Sequence, residues 1–600
     1  MIQMRVADYI AQSLVQHGVR DVFMVTGGGA MHLNDALGRC RDLRVLCCHH
    51  EQACAMAAES YNRLSGRVAA VNVTSGPGGT NAITGVYGAF VDSLAMIVIS
   101  GQVKFETLVR STDLPLRQLG DQELDIIPMV RHVTKYAEMV EDPSTIRYHL
   151  ERAIHLATAG RPGPVWLDVP LNVQGAQVNP QELRGYDPQE DSASIPSSEQ
   201  GGAAASILER LSSAKRPVIM LGSGVRLSGM RDRVLQLVQR LGIPVVTAWN
   251  AHDLVPDDHP CYAGRPGTIG NRPGNFAVQN ADALLVLGCR LNIRQVSYNW
   301  KNFAANAFTV VIDIDRTELL KPTIKPDLAV HADLRHLIPE LERRLGTWDA
   351  NHAAWVAWCR ERVVRYPACL PEYWQREGLI NPYCFADRLM GLLPDDAVVV
   401  TGDGTACVVP FQAARLRGNQ RLYTNSGCAS MGYDLPAAIG ACVAAGGRRI
   451  VCLAGDGSIQ MNLQELQTIV TRRLPIHIVV LNNAGYHSIR QTQMTYFPDG
   501  LIGFDAATGV DYVPFEGLAR AFGLPFNRCS STADMEAALA KTFACDGPAM
   551  CEVMLDPGQP FAPRVSSRKL EDGTMVSAPL DDMFPFLSRE ELAENRFASA

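Results

Sequence analysis

No apolar run in the chain approaches the roughly 20 residues that a membrane-spanning helix needs, so the sequence predicts no transmembrane segment. Nor does it open on a secretory leader. MIQMRVADYIAQSLVQHGV reads as the amphipathic helix of a folded domain, because Asp8 and Gln12 interrupt any apolar core. A basic excess is missing too: 55 Lys and Arg against 62 Asp and Glu leave a formal net charge of −7, without the basic face that nucleic acid or anionic lipid requires. The expectation is a cytoplasmic protein with neither nucleic acid nor membrane as a partner. None of the sixteen cysteines forms a Cys-x-x-Cys pair, and Cys47, Cys48, Cys54, Cys289 and Cys452 lie inside apolar stretches, as reduced core residues do. Tandem repeats and low-complexity tracts are also lacking.

What remains is a 600-residue chain, 47% hydrophobic and 20% charged, enough for several cores. Short β-branched runs alternate with helical patterns: VAAVNVTS (68–75) and LAMIVISG (94–101), then RPVIMLGSG (216–224), ALLVLGCR (283–290) and FTVVIDID (308–315), then AVVVTGDG (397–404), RIVCLAGDG (449–457) and IHIVVLNN (476–483). That rhythm predicts an α/β protein of three doubly wound parallel-sheet domains. The expected bounds are 1–178 for the first domain, a Pro-, Ser- and acid-rich linker at 179–202, a central domain at 203–347, a connecting segment at 348–378, a third domain at 379–560 and a tail at 561–600.

The most informative stretch runs from Gly455 to Asn483: a strand ending in Gly-Asp-Gly, a helix, and a second strand ending in Asn-Asn. Parallel strands end on the same edge of a sheet, so Asp456 and Asn483 can converge there. One carboxylate, one amide oxygen and a backbone carbonyl leave octahedral places for water and phosphate oxygens, which is how magnesium is usually held. Gly455 and Gly457 allow close approach of backbone to phosphate, and the following helix N-terminus favours an anion. An isolated Gly-Asp-Gly would equally be a structural turn.

This segment resembles the signature of thiamine-diphosphate enzymes, and the wider chain is similar to their acetohydroxyacid (acetolactate) synthase branch. HHEQACAMAAESYNRLSG (49–66), TSGPGGTNAITG (74–85), RPGPVWLDVP (161–170), VQNADALLVLGCR (278–290) and NSGCASMGYDLPAAIGA (425–441) follow in that family's order. The resemblance implies a pyrimidine-binding domain first, a diphosphate-binding domain last, and active sites shared between chains of a homodimer or homotetramer. It implies a 2-keto acid donor such as pyruvate, a carbonyl acceptor, thiamine diphosphate and Mg2+. Asp456, Asn483 and the backbone oxygen of Gly485 would hold the metal, and Glu51 would activate the aminopyrimidine, with Glu59 as the fallback. Met431 matches the residue wedged beneath the coenzyme. Pro77, Asn81, Gly404, Thr405, Ser430, Ser458, Tyr486 and His487 fall at further cofactor-binding places. Gly28 and Gln122 are expected at the reacting end, where Gln122 and Glu123 match the family's Phe-Gln-Glu and Asp121 replaces the phenylalanine.

Departures from the family pattern bear on the activity. Related decarboxylases carry a histidine pair in the loop after the first sheet, and KFETLVRSTDLPLRQLG (104–120) has no histidine, which favours ligation over aldehyde release. The synthase Gln-His becomes Thr405-Ala406, its lysine becomes Leu171, and its acceptor-selecting tryptophan becomes Thr492, which opens volume for a larger or more polar acceptor. NNAGYHSIRQTQ (482–493) and KLEDGTMVSAPLDDMFPFL (569–587) also resemble enzymes that add an acetyl unit to nucleotide-linked 4-keto-deoxysugars. There Arg490 or His487 would meet the acceptor, although a solvated surface arginine is the default reading of Arg490. Acetolactate formation from two pyruvates and a flavin-dependent keto-acid oxidase are the alternatives. In the central domain GSGVRLSG lacks full Gly-x-Gly-x-x-Gly spacing, which argues against a nicotinamide dehydrogenase. Gly222, Arg290, Asp313 and Asp333 match places where the synthase branch binds FAD, while surface ion pairs would explain the same charges.

Overall fold

The computed structural model describes residues 3–191, 197–569, 572 and 574–597. Three six-stranded sheets, parallel throughout, carry the fold. In spatial order the first is Arg44–Cys47, Asp21–Met24, Ala70–Val73, Met96–Gln102, Pro164–Pro170 and Tyr136–Met139. The second is Tyr262–Gly264, Val245–Thr247, Pro217–Leu221, Ala283–Leu287, Phe308–Asp313 and Leu328–His331. The third is Arg421–Tyr423, Val398–Thr401, Ile450–Gly455, Ile476–Asn482, Ala549–Met554 and Phe526–Cys529. Their inner strands are buried on both faces, which is why the sequence shows continuous Val and Ile runs rather than alternation.

Counted from each sheet's own first strand, the first and third sheets share the order 2-1-3-4-6-5, and the second has 3-2-1-4-5-6. Each order reverses beside its first strand, and the loops leaving the carboxyl ends there part to form a crevice. Those loops are 25–30 and 74–77 in the first sheet, 222–225 and 288–292 in the second, and 402–405 and 456–458 in the third.

The first and third domains meet through helices Glu51–Ser65 and Asp434–Ala444. Close approach is allowed by Gly440, where a Cβ would overlap the carbonyl of Ala57. Ser60 Oγ donates to the carbonyl of Ala437 at 2.7 Å and pairs with the Tyr423 hydroxyl at 2.8 Å. Glu59, buried in this seam, accepts from Arg63 and from the Tyr433 hydroxyl, and Arg63 reaches on to Asp92 at 2.7 Å.

The stretches expected to be connections are largely built into the fold. Helix Ser197–Ser213 starts inside the 179–202 tract, of which residues 192–196 lie outside the described residues. Helix Ala353–Arg365 occupies the 348–378 segment and buries Trp355 in the central core, its indole N–H donating to the carbonyl of Pro217 at 2.9 Å. The tail crosses back over two domains. Gln412 donates to the carbonyl of Pro563 at 2.6 Å, strand Ser567–Lys569 pairs with Met575–Ser577, and Phe597 packs on Trp355 and Trp358. Tail residues 570, 571, 573 and 598–600 lie outside the described residues. All sixteen cysteines are free thiols and most are buried, although Cys47 is exposed rather than in a core. Among the described residues no helix is long and apolar enough to cross a membrane.

Candidate active site

In the third sheet Gly455 pairs in register with Leu481, so the chain leaves both strands at one level. Asp456 follows directly, and its carboxylate accepts from the backbone N–H of Gly457 at 2.9 Å and of Gly485 at 2.8 Å. Asn483 is buried beside it, its amide nitrogen 3.4 Å from the Thr405 hydroxyl that opens helix Thr405–Ala413 at the Gly404 turn. Asp456, Asn483, Gly485, Gly404 and Thr405, expected at the coenzyme tail, therefore share one crevice. Burial pushes the Asp456 carboxyl up to about 6, while the amides of Gly485, Gly457 and Asn483 pull it down.

That donor set fits a divalent cation that dehydrates reluctantly. A buried carboxylate bonded to backbone amides gains from a cation, and one acid with neutral oxygens is a magnesium set rather than a zinc one. The described residues hold no cluster of three His, Cys, Asp or Glu side chains fit for a metal. The Tyr512 hydroxyl is buried at the same loop and would stand 2.7 Å from a Cβ at Gly457. The Tyr486 ring lies over Gly457 as well, so this glycine is required by the ring in addition to any phosphate.

Ser458 ties this loop to the one carrying Met431. Its hydroxyl donates to Asp434 at 2.6 Å and accepts from the backbone N–H of Gly432 at 3.0 Å. Asp434, fully buried, is pushed up to about 6 by burial against these bonds. Apart from its place after Met431-Gly-Tyr, no local pattern singles out Asp434. Ser430 accepts from Asn425 at 2.7 Å, and the Met431 side chain stands partly exposed above the crevice.

In the first domain Glu51 occupies the first turn of its helix, which His50 caps by accepting from Gln52 N–H at 3.0 Å. Glu51 Oε2 accepts from the Asn81 amide at 3.0 Å, on the helix that Pro77 begins. The Gly28 turn packs onto the same loop, for a Cβ at Gly27 or Gly29 would run into Thr74 or Ser75. Glu51, Asn81, Pro77 and Gly28 thus belong to one crevice. Two contacts join its rim to the third domain within the chain: Asn462 donates to Gln52 at 3.0 Å, and His49 N–H donates to Glu465 at 2.9 Å. Glu59 is committed to Arg63 and Tyr433, which removes the fallback.

Other expected residues are engaged elsewhere. His487 packs its ring against Phe561 at 5.0 Å, pairs with Gln491, and is pushed down to about 4 by burial, a neutral imidazole facing the tail. Arg490 is no free surface arginine: it donates to the carbonyls of Asn483 at 3.0 Å and Ala484 at 2.6 Å, bracing the turn that follows strand Ile476–Asn482. Gln122 is exposed, in a left-handed backbone conformation (φ 59°), beside an exposed Asp121.

At the reversal point of the central sheet an open cavity is lined by Arg290, Asp313, Asp333, Arg161, Asp92 and Asn250 among others. Gly222 lies beneath it, where a Cβ would overlap Gly288 and Cys289. Asp313 is pushed up to about 6 by burial. Asp333 instead caps helix Leu334–Arg344 and pairs with Arg335 at 2.6 Å, so it is spent structurally.

The family comparisons agree with this layout. Residues 4–129 match the thiamine pyrophosphate enzyme N-terminal TPP binding domain, 204–341 the central domain and 402–553 the C-terminal TPP binding domain. Acetolactate synthase isozyme 1 large subunit of Escherichia coli (strain K12) is 30% identical over 93% of this chain and 95% of its own. Probable acetolactate synthase 2, chloroplastic, of Oryza sativa subsp. japonica is 31% identical over 94% and 85%, and the acetolactate synthase large subunit of Parasynechococcus marenigrum (strain WH8102) 32% over 95% and 90%. With three domain matches in order and relatives aligned along nearly its whole length, the chain belongs to the thiamine-diphosphate-dependent enzymes, as a carboligase of the acetolactate synthase type.

Proposed function

We propose that this enzyme takes an acyl unit from a 2-keto acid, pyruvate first, with loss of CO2, and joins it to a second carbonyl compound. The observation that carries this is the convergence of Asp456, Asn483 and Gly485 at two adjoining strand ends, with the Glu51 helix bonded to the segment that follows. When bound, thiamine diphosphate supplies the nucleophilic carbon that attacks the keto acid and accepts the electron pair left by CO2. Asp456, Asn483 and the Gly485 carbonyl would hold Mg2+ against the diphosphate, with Gly457, Ser458 and the Tyr512 hydroxyl beside it. Glu51 would hold a proton against the aminopyrimidine, kept in place by Asn81. Exposed Met31 and Tyr87 on the first domain, and Met431 and Met461 on the third, favour a second chain covering the crevice in a homodimer or tetramer. The central cavity suits FAD as a structural group, with Arg290 and Asp313 at its wall.

For the acceptor, Thr492 stands exposed on helix His487–Tyr496, where it blocks little space, which favours a bulky polar carbonyl such as a nucleotide-linked 4-keto-deoxysugar. Two pyruvates forming acetolactate is the reading that the names of the relatives favour. Labelled pyruvate incubated alone, with a keto-sugar nucleotide, and with a diketone distinguishes these. A branched labelled product is expected, and acetaldehyde as the sole product in every mixture contradicts the ligase reading.

A further inference from the structure

The loop that carries Met431, residues 424–433, is tied at both ends to one carboxylate of the first domain. At its start the Ser426 hydroxyl donates to Oδ1 of Asn250, in the Trp249–Ala251 turn of the central domain, and the Asn250 amide donates in turn to Oδ1 of Asp92 at 2.9 Å. At its end Tyr433 donates to Glu59, which Arg63 joins to Oδ2 of Asp92 at 2.7 Å. Gly427 lies against the same acid, for a Cβ there would overlap Asp92 Oδ1. Three domains therefore meet at the buried Asp92. Inside the loop Ala429 takes a left-handed conformation (φ 53°), and its N–H donates to the carbonyl of Asn425 at 2.8 Å, one residue before the Ser426 anchor. A strained turn two residues from Met431 keeps its shape only while its flanks are held. Asn250 is not needed for charge balance at Asp92, because Arg63 supplies that, and it is only half-buried, so water can replace its bonds.

We propose that Asn250 is a positioning residue: by accepting from Ser426 while donating to Asp92, it fixes the start of the 424–433 loop against the first domain, and with it the height of Met431 beneath the coenzyme. The far end needs no such relay, since Tyr433 is held through Glu59 and Arg63, and Gly432 N–H is held by Ser458 at 3.0 Å. An amide suits residue 250 because it offers a donor and an acceptor at once. An aspartate there would accept from Ser426 but set a second carboxylate against Asp92. The proposal rests on Met431 lying beneath the coenzyme, and on nothing about the acceptor.

The test uses the full-length protein loaded with thiamine diphosphate and Mg2+, as wild type, Asn250→Ala, Ser426→Ala, Met431→Ala and the double variant of Asn250→Ala with Met431→Ala. At saturating coenzyme, exchange of the C2 proton should fall about tenfold in Asn250→Ala and in Ser426→Ala, while the thermal midpoint stays within about 2 °C of wild type. With Met431 already truncated, Asn250→Ala should cost nothing further. C2 exchange at the wild-type rate in either anchor variant, a loss that comes only with global destabilisation, or effects that multiply in the double variant overturn the proposal. Amide hydrogen exchange tests the anchor without the coenzyme. Faster exchange at Cys428 and Ala429 in Asn250→Ala, with helix Asp434–Ala444 unchanged, supports it, and unchanged amides at those two residues refute it. C2 exchange at the wild-type rate in Met431→Ala sinks the reading of Met431, and the amide result then stands alone for the anchor.

Discussion

The backbone N–H of Gly485 donates to Oδ2 of Asp456 at 2.8 Å, tying the exits of two adjacent strands at the place where a cation would neutralise a buried carboxylate. Asp456→Ala removes the one acid of that set. Calorimetric titration should show Mg2+ binding lost and thiamine diphosphate bound at least about tenfold more weakly, because phosphate oxygens would face an uncompensated site. Unchanged coenzyme affinity would place the metal elsewhere.

Asp168 gives a pH-dependent contribution to stability. It is fully buried between Ser100 at 2.5 Å and Gln102 at 3.0 Å, and burial pushes it up to about 7. A carboxyl that binds its proton more tightly when folded stabilises fully below its unfolded value of about 4, and that stability drains away as pH rises through about 7. The thermal midpoint should fall between pH 5 and pH 8, with the loss bounded at about 4 kcal/mol, and Asp168→Asn should flatten that slope. An unaltered slope in the variant would assign the dependence to other groups.

Arg63 is the cation between Glu59 and Asp92 in the seam between the first and third domains. Arg63→Met leaves two buried acids unpaired, and chemical denaturation should show a loss of about 3–5 kcal/mol. Tyr433→Phe, which removes one hydroxyl donor to Glu59, should cost roughly 1–2 kcal/mol. Equal, small losses in both would mean that the seam is not an ionic core.

The strands were legible because parallel sheets bury both faces and leave unbroken β-branched runs, as in Ile450–Gly455 and Ile476–Asn482. Gly-Asp-Gly and Asn-Asn were legible because parallel strand ends converge whatever the helix between them. The Ser458–Asp434 bond and the Gln102–Asp168 bond were not, since each joins groups by tertiary contact without a local pattern. Arg490 misled for the same reason. An arginine on a polar helix face reads as solvated, and only the left-handed turn at Ala484 brings backbone carbonyls within its reach. The packed tail escaped because its apolar residues are spaced between polar ones and find their partners in another domain.

Thr492 carries the prediction on acceptor choice. Thr492→Trp fills space beside the crevice, so use of a large polar acceptor should drop about 10–100-fold relative to pyruvate, read as the ratio of labelled products. A ratio left unchanged would show that this position does not face the acceptor.

Glu51 would hold its proton against the aminopyrimidine. Glu51→Gln, loaded with thiamine diphosphate and Mg2+, should exchange the coenzyme C2 proton at least about 100-fold more slowly than wild type, while its coenzyme affinity falls only modestly. Exchange at the wild-type rate would contradict the account.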